Sequence, residues 1–151
     1  MEASERTVTA ENVAAWFAGP SAPVASAHYG IDADSIVQCV REKDVAYHAP
    51  GSNHNGIALE HAGYAKPSAE DWADDYSETM LRRSAELAAR LCRKYDVPIT
   101  YLDATDVALG KRGLTTHRAV SAAFKKSTHS DPGPHFPMAH YLELVREFYW
   151  Q

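Results

Sequence analysis

The chain has little sulfur, no long apolar run and no excess of positive charge, and each shortage narrows the class of protein. Only two cysteines, Cys39 and Cys92, occur in 151 residues, and they form no C-x-x-C pair. Nothing in this spacing asks for a cysteine-built metal module, and a disulfide is possible without being called for. Each cysteine sits in an apolar pattern, "IVQCV" and "LAARLCRKY", and reads as a buried free thiol. No stretch approaches the roughly 20 apolar residues that cross a bilayer. The net charge of −5 argues against a general nucleic-acid binder, which carries a basic stripe. The opening "MEASERTVTAENVAAWF" lacks the basic start and apolar core of a secretory signal. The sequence thus predicts a soluble protein made in the cytoplasm. No internal repeat, low-complexity tract or linker divides it, so residues 1–151 read as one domain, large enough to bury about 70% of its unfolded surface.

Histidine is what the chain does have, eight in all, at positions 28, 48, 54, 61, 117, 129, 135 and 140. The elements that carry them are set by local signals. Thr9 before "AENVAAWFAG" predicts an N-capped helix that buries Val13, Trp16 and Phe17 and ends at Gly19. His28–Ile31 and Ile36–Val40 read as two strands of a hairpin turned at Asp32 and Asp34. "DVAYHAPGSNHN" reads as a surface loop, and "GIALE" as a short strand ending at Glu60. Pro67 and Ser68 would open the longest helix, with Asp71 completing a capping box. Its apolar stripe would run through Trp72, Tyr76, Met80, Leu87, Leu91 and Tyr95. "DVPITYL" reads as a further strand, and Met138–Tyr149 as a final helix burying Tyr141, Leu142, Val145 and Phe148. Strands and helices mixed without strict alternation predict an α/β layered domain with a mixed central sheet flanked by helices.

Near the end of the chain, "THSDPGPHFP" sets His129 and Asp131 two residues apart, so in extended backbone they project to one side. Pro132 and Pro134 stiffen the backbone beyond Asp131. Imidazole and carboxylate are the ligands of a catalytic zinc, and a carboxylate nearby, such as Glu60, is the group that deprotonates a water beside it. A lone His-x-Asp is a weak signal. Taken singly, His117 also reads as a structural histidine, Glu60 as a charge at a sheet edge, and His48, Asn53 and His54 as solvated loop residues. His61, His135 and His140 are given no chemistry.

The ordered set "SAHYGID", "VAYHAPGSNHNGIALEHAG", "GLTTH" and "THSDPGPHFP" is more specific. It resembles the type 2 N-acetylmuramoyl-L-alanine amidases, which include phage endolysins and animal peptidoglycan-recognition proteins. The likeness runs from about Ala25 to Phe148 and is strongest to endolysins of phages of actinobacteria. It implies a mixed sheet with a Zn2+ ion in a groove above it, and hydrolysis of the amide joining N-acetylmuramic acid to L-alanine in peptidoglycan. It implies His117 and Asp131 as zinc ligands, Glu60 as general base and His129 as the donor to the developing oxyanion. Ala27 stands where another branch of the family has a catalytic tyrosine, which points to Glu60. His28 matches a groove histidine, and His48, Asn53 and His54 fall in a groove wall suited to substrate contacts. The family's first zinc ligand, a histidine ending an N-terminal core strand, has no counterpart before "MEASERTVTAEN". The expectation is a chain truncated relative to the family, with weakened zinc binding and low activity, and with sheet edges open to homodimer formation or strand swapping. Two other readings are a peptidoglycan-binding module with an incomplete metal site and a zinc peptidase acting within the stem.

Overall fold

The computed structural model describes residues 9–20, 24–63 and 68–151. The expectations for the segment before Thr9, and for Pro67, lie outside the described residues. Helix α1 (Ala10–Ala18) starts at Thr9, whose side chain accepts the Asn12 N–H, and ends at Gly19. Its buried anchor is Ala10, whereas Trp16 is 54% exposed and Val13 and Phe17 are half-buried, so the expected apolar face is only partly covered. Asp32 ties the helix to the hairpin: one carboxylate oxygen accepts the Ala10 N–H, and the other accepts from Asp34 and Ser35.

That hairpin is β1 (Tyr29–Ile31) antiparallel to β2 (Ile36–Gln38). Strand β3 (Leu59–His61) lies on the other side of β1 and parallel to it, with Gly30 opposite Glu60. The order β2-β1-β3 makes a small mixed sheet. Alternation along β3 then decides which side chain faces which layer. Leu59 and His61 turn into the core, and Glu60 turns out.

Helix α2 (Asp75–Tyr95) and helix α5 (Met138–Tyr149) cover the core face of the sheet. Ile31, Met80, Leu81, Leu87, Tyr141, Leu144 and Val145 are buried between these layers. Each fully buried aliphatic side chain there contributes roughly 1.5–3 kcal/mol. The Ser68–Asp71 capping box forms as expected, each backbone N–H meeting the other's side chain. It closes a single 3-10 turn (Asp71–Ala73), and the long helix starts later, at Asp74, whose side chain accepts the Ser77 N–H. Trp72 is buried from that turn rather than from α2, and Tyr95 is 38% exposed.

"DVPITYL" does not form the expected strand: only Tyr101 pairs, in one parallel bridge with Leu114. Pro98 cannot donate a ladder hydrogen bond, and a strand needs a partner along its length. Two helices come next, α3 (Ala104–Ala108), which opens on an Asp103–Asp106 capping box, and α4 (His117–Phe124). Leu102, Val107 and Val120 form a second, smaller core with Ala49 from the loop before β3. Gly51 in that loop has φ +107°, and a Cβ there would stand 2.4 Å from the Phe124 ring. Only glycine lets the loop press this closely onto the C-terminal end of α4.

Candidate active site

Three segments meet on the outer face of β3: Glu60 itself, the N-terminus of α4, and the turn at residues 129–133. Thr116 caps α4 through the Ala119 N–H, making His117 the first helical residue. The chain leaves α4 at Lys125 in the left-handed conformation and loops back. There the Arg118 N–H donates to the Asp131 carbonyl at 3.1 Å, and the Gly133 N–H closes a turn onto Ser130 at 2.9 Å. The loop is held from behind by Phe136, which stacks on His61 and meets Trp72 and Tyr141 edge-on.

This brings His117, His129 and Asp131 together. Their ligand atoms all lie within 4.8 Å of one another. His117 Nδ1 is 3.3 Å from one Asp131 oxygen, and His129 Nδ1 is 3.6 Å from the other. The two imidazoles stack with centroids 4.5 Å apart and planes 10° from parallel. His117 is largely covered, at 17% side-chain exposure, whereas His129 is 65% exposed. His117 Nε2 is buried and has no hydrogen-bond partner among the described residues. Burial pushes the Asp131 carboxyl up, but the neighbouring His117 and His129 more than offset this and hold it below the usual carboxylate range.

Glu60 belongs to the same cluster. It is exposed at the sheet edge, yet protein packed round its carboxyl raises its pKa, and the Asp131 charge adds to the rise. His117 works in the opposite direction, and the result is about 7. Solvent reaching the carboxyl limits that effect, and a bound dication would draw the group back down.

The residues expected along the groove divide differently. His28 is 1% exposed. Its Nδ1 accepts the Ala58 N–H at 3.1 Å, so its Nε2 carries the proton that meets the Asp44 carbonyl at 2.9 Å. With both nitrogens used inside the protein, His28 has none for a substrate, and the groove position expected of it is corrected to a structural one. It fastens the hairpin, the following loop and the approach to β3 to each other. Asn53 Oδ1 accepts the N–H groups of His48 and Ala49, which shapes the loop. His48 Nε2 donates to the Gly56 carbonyl, and burial lowers its pKa to about 4. His54 is exposed on the same loop. Of the histidines given no chemistry, His61 faces the core and bonds Ser84, which in turn meets Tyr141. His140 pairs with Glu78 across α5 and α2. Sequence reasoning missed the buried role of His61, although alternation from Glu60 along β3 carries that signal.

Comparison with known proteins identifies the family and the fold. Residues 3–134 match the model of the N-acetylmuramoyl-L-alanine amidase family. The chain belongs to that family. It is 32% identical over 141 residues to N-acetylmuramoyl-L-alanine amidase A of Achromobacter lyticus, a match covering 86% of this chain and 73% of the relative. Its fold is similar to that in the crystal structure of the Staphylococcus aureus hydrolase AmiA in complex with its ligand, with a TM-score of 0.65 at 20% identity. That match covers 83% of this chain, which spans 58% of the AmiA chain. The mixed α/β layering expected from the sequence is therefore this family's fold.

The residues present fit the zinc that the family implies. His117 Nε2 is buried with no hydrogen-bond partner among the described residues, which a histidine placed for hydrogen bonding alone would rarely leave, and its Nδ1 faces an Asp131 oxygen at 3.3 Å. Imidazole nitrogen and carboxylate oxygen are also the donor set zinc takes in hydrolytic sites.

Proposed function

We propose that this chain hydrolyses the amide between the lactyl group of N-acetylmuramic acid and L-alanine of the stem peptide in bacterial peptidoglycan, with zinc held by His117 and Asp131. The observation that carries this reading is the convergence of those two side chains at ligand distances beside Glu60, in a member of the amidase family. Zinc, when bound, supplies a Lewis acid for the scissile carbonyl and acidifies a water.

Glu60 is the general base. A base with a pKa near the working pH combines a useful deprotonated fraction with real proton affinity, and about 7 is in that range. Its carboxylate takes a proton from the attacking water and returns it to the nitrogen of L-alanine as the amide C–N bond breaks. Asp131 holds negative charge opposite His117, and the hydrogen bond from Arg118 N–H fixes its backbone. The loop carrying His48, Asn53 and His54 comes near this cluster through His48, which feels the charge of His117, and exposed His54 is the member free to contact sugar or peptide. Motif likeness to endolysins over Ala25–Phe148 supports a wall-lytic role for a phage or prophage product, acting on the wall after release from the cytoplasm.

The test is digestion of purified cell wall by the zinc-supplemented chain. Free amino-terminal L-alanine appears without new reducing ends, and mass spectrometry finds intact stem peptides. New reducing ends, or peptides cut within the stem, would contradict the reading.

A further inference from the structure

His61 follows Glu60 on β3, and its imidazole turns the opposite way, into the core, where the proposed reaction makes no use of it. A polar ring on that face is costly unless it is hydrogen-bonded, and a leucine there would carry no such cost. The bond it makes is specific. His61 Nε2 lies 2.6 Å from the Ser84 hydroxyl of α2, and that hydroxyl lies 2.7 Å from the Tyr141 hydroxyl of α5. Ser84 and Tyr141 are both buried. Two consecutive hydrogen bonds thus tie β3 to both helices that cover it. A satisfied network of this kind rigidifies the groups within it.

The ring so fixed faces the loop that carries Asp131. His61 and Phe136 lie 15° from parallel with centroids 5.9 Å apart, and Tyr141 and Trp72 meet Phe136 edge-on at 5.6 and 5.1 Å. All three spacings are those of favourable aromatic pairs. From Phe136 the contacts run back to the site. Its N–H donates to the Gly133 carbonyl, the Gly133 N–H donates to the Ser130 carbonyl, and Asp131 accepts from Arg118 in the first turn of α4. His61 therefore reaches both halves of the site. Its own backbone continues from Glu60, and its ring meets the segment that holds Asp131.

We propose that His61 is a positioning residue for the amide cleavage, setting Glu60 and the Asp131 turn against each other from the core side. This rests on the reading of Glu60 as base and Asp131 as zinc ligand, and adds to it a residue that touches neither substrate nor metal. Such a residue matters because a misplacement of about 1 Å, caused far from the chemistry, can lower a rate by about 10²-fold.

Amide hydrogen exchange of the full chain, followed residue by residue, separates positioning from plain stabilisation. The Arg118 N–H lies in the first turn of α4, where helix geometry gives it no intrahelical acceptor. Its protection comes from the Asp131 carbonyl and so reports the docked turn. His61→Leu should speed exchange at Arg118 and Gly133 by about tenfold or more, through local opening. A purely structural role would speed the slowest amides at the centre of α2 and leave Arg118 unchanged, and that result overturns the proposal. Kinetics on a soluble N-acetylmuramyl tripeptide supply the second arm. His61→Leu should lower kcat by about 10–100-fold with KM within about twofold of the parent. Phe136→Leu should do the same, and the double variant should be no slower than the worse single one, because the two act through one contact. Fully additive losses, or an unchanged kcat in His61→Leu, overturn the proposal and leave the amidase reading standing. A parent chain that releases no peptide overturns both.

Discussion

His28 and His117 are both covered imidazoles close to the same sheet, and they have opposite surroundings. Around His28 every polar atom has a local use: Nδ1 takes the Ala58 N–H, Nε2 meets the Asp44 carbonyl, and Asn53 and His48 close the neighbouring loop with their own hydrogen bonds. Around His117 the polar groups crowd together: its buried Nε2 has no partner among the described residues, and its Nδ1 meets the Asp131 carboxylate at 3.3 Å. Burying a polar group without a partner costs about 1–3 kcal/mol. The fold leaves this cost at one histidine and avoids it at the other, which is why the first is the one proposed to take an outside ligand. The contrast sets a structural fastener, His28, beside the residue proposed above to hold the metal, His117.

The sharpest way to break this comparison is to remove the proton-handling group from the unsatisfied side. Glu60→Gln should lower the rate of amide cleavage by about 10²–10⁴-fold while leaving zinc affinity within a few fold. Parallel turnover and zinc titrations check it, and a variant retaining full turnover would move the base elsewhere. The pH profile sharpens the same point. Cleavage should need Glu60 deprotonated, so activity should fall as pH drops through a value at or below about 7.

A smaller effect is expected from the satisfied side. Burial lowers the pKa of His61, and likewise of His48, to about 4, against an ordinary value of 6.5. Both rings are thus folded as neutral bases, and the unfolded chain binds more protons between those values. Their contribution to stability is full above about pH 6.5 and is lost as pH falls toward 4. The two together represent about 7 kcal/mol as an upper bound. Denaturant melts at pH 7, 5.5 and 4.5 should show a progressive fall. His61→Phe, which keeps a ring against Phe136, should flatten part of it; an unchanged slope would show that His61 does not titrate in this window.

Local signals made much of the fold legible. Thr9, the Asp32–Asp34 turn and the Met138–Tyr149 stripe each act within a few residues, and α1, the hairpin and α5 form where they direct. Where two signals compete at short range, the sequence leaves a choice. Ser68 with Asp71 and Asp74 with Ser77 are both good caps, and both form, but only the second opens the long helix. Where an element depends on a distant partner, composition misleads. "DVPITYL" looks like a strand, yet it finds only the single bridge to Leu114.

The candidate site shows the same division. His129 and Asp131 lie two residues apart and share a side, which spacing alone predicts. That His117 joins them depends on α4 and the loop folding back onto its first turn, which no local pattern encodes. Here the family likeness did what periodicity could not. Exposure was the least legible property: Trp16 lies open, while His28 and His61 lie in the interior.

Zinc binding measures the contrast between His28 and His117 directly. Equilibrium dialysis against Zn2+ should load one ion per chain on the parent protein and on His28→Gln, whose amide retains a donor and an acceptor for Asp44 and Ala58. His117→Ala should load none while keeping its thermal melt. Equal zinc loading by all three proteins, or loss of zinc in His28→Gln with His117→Ala unaffected, would contradict the assignment of the metal site.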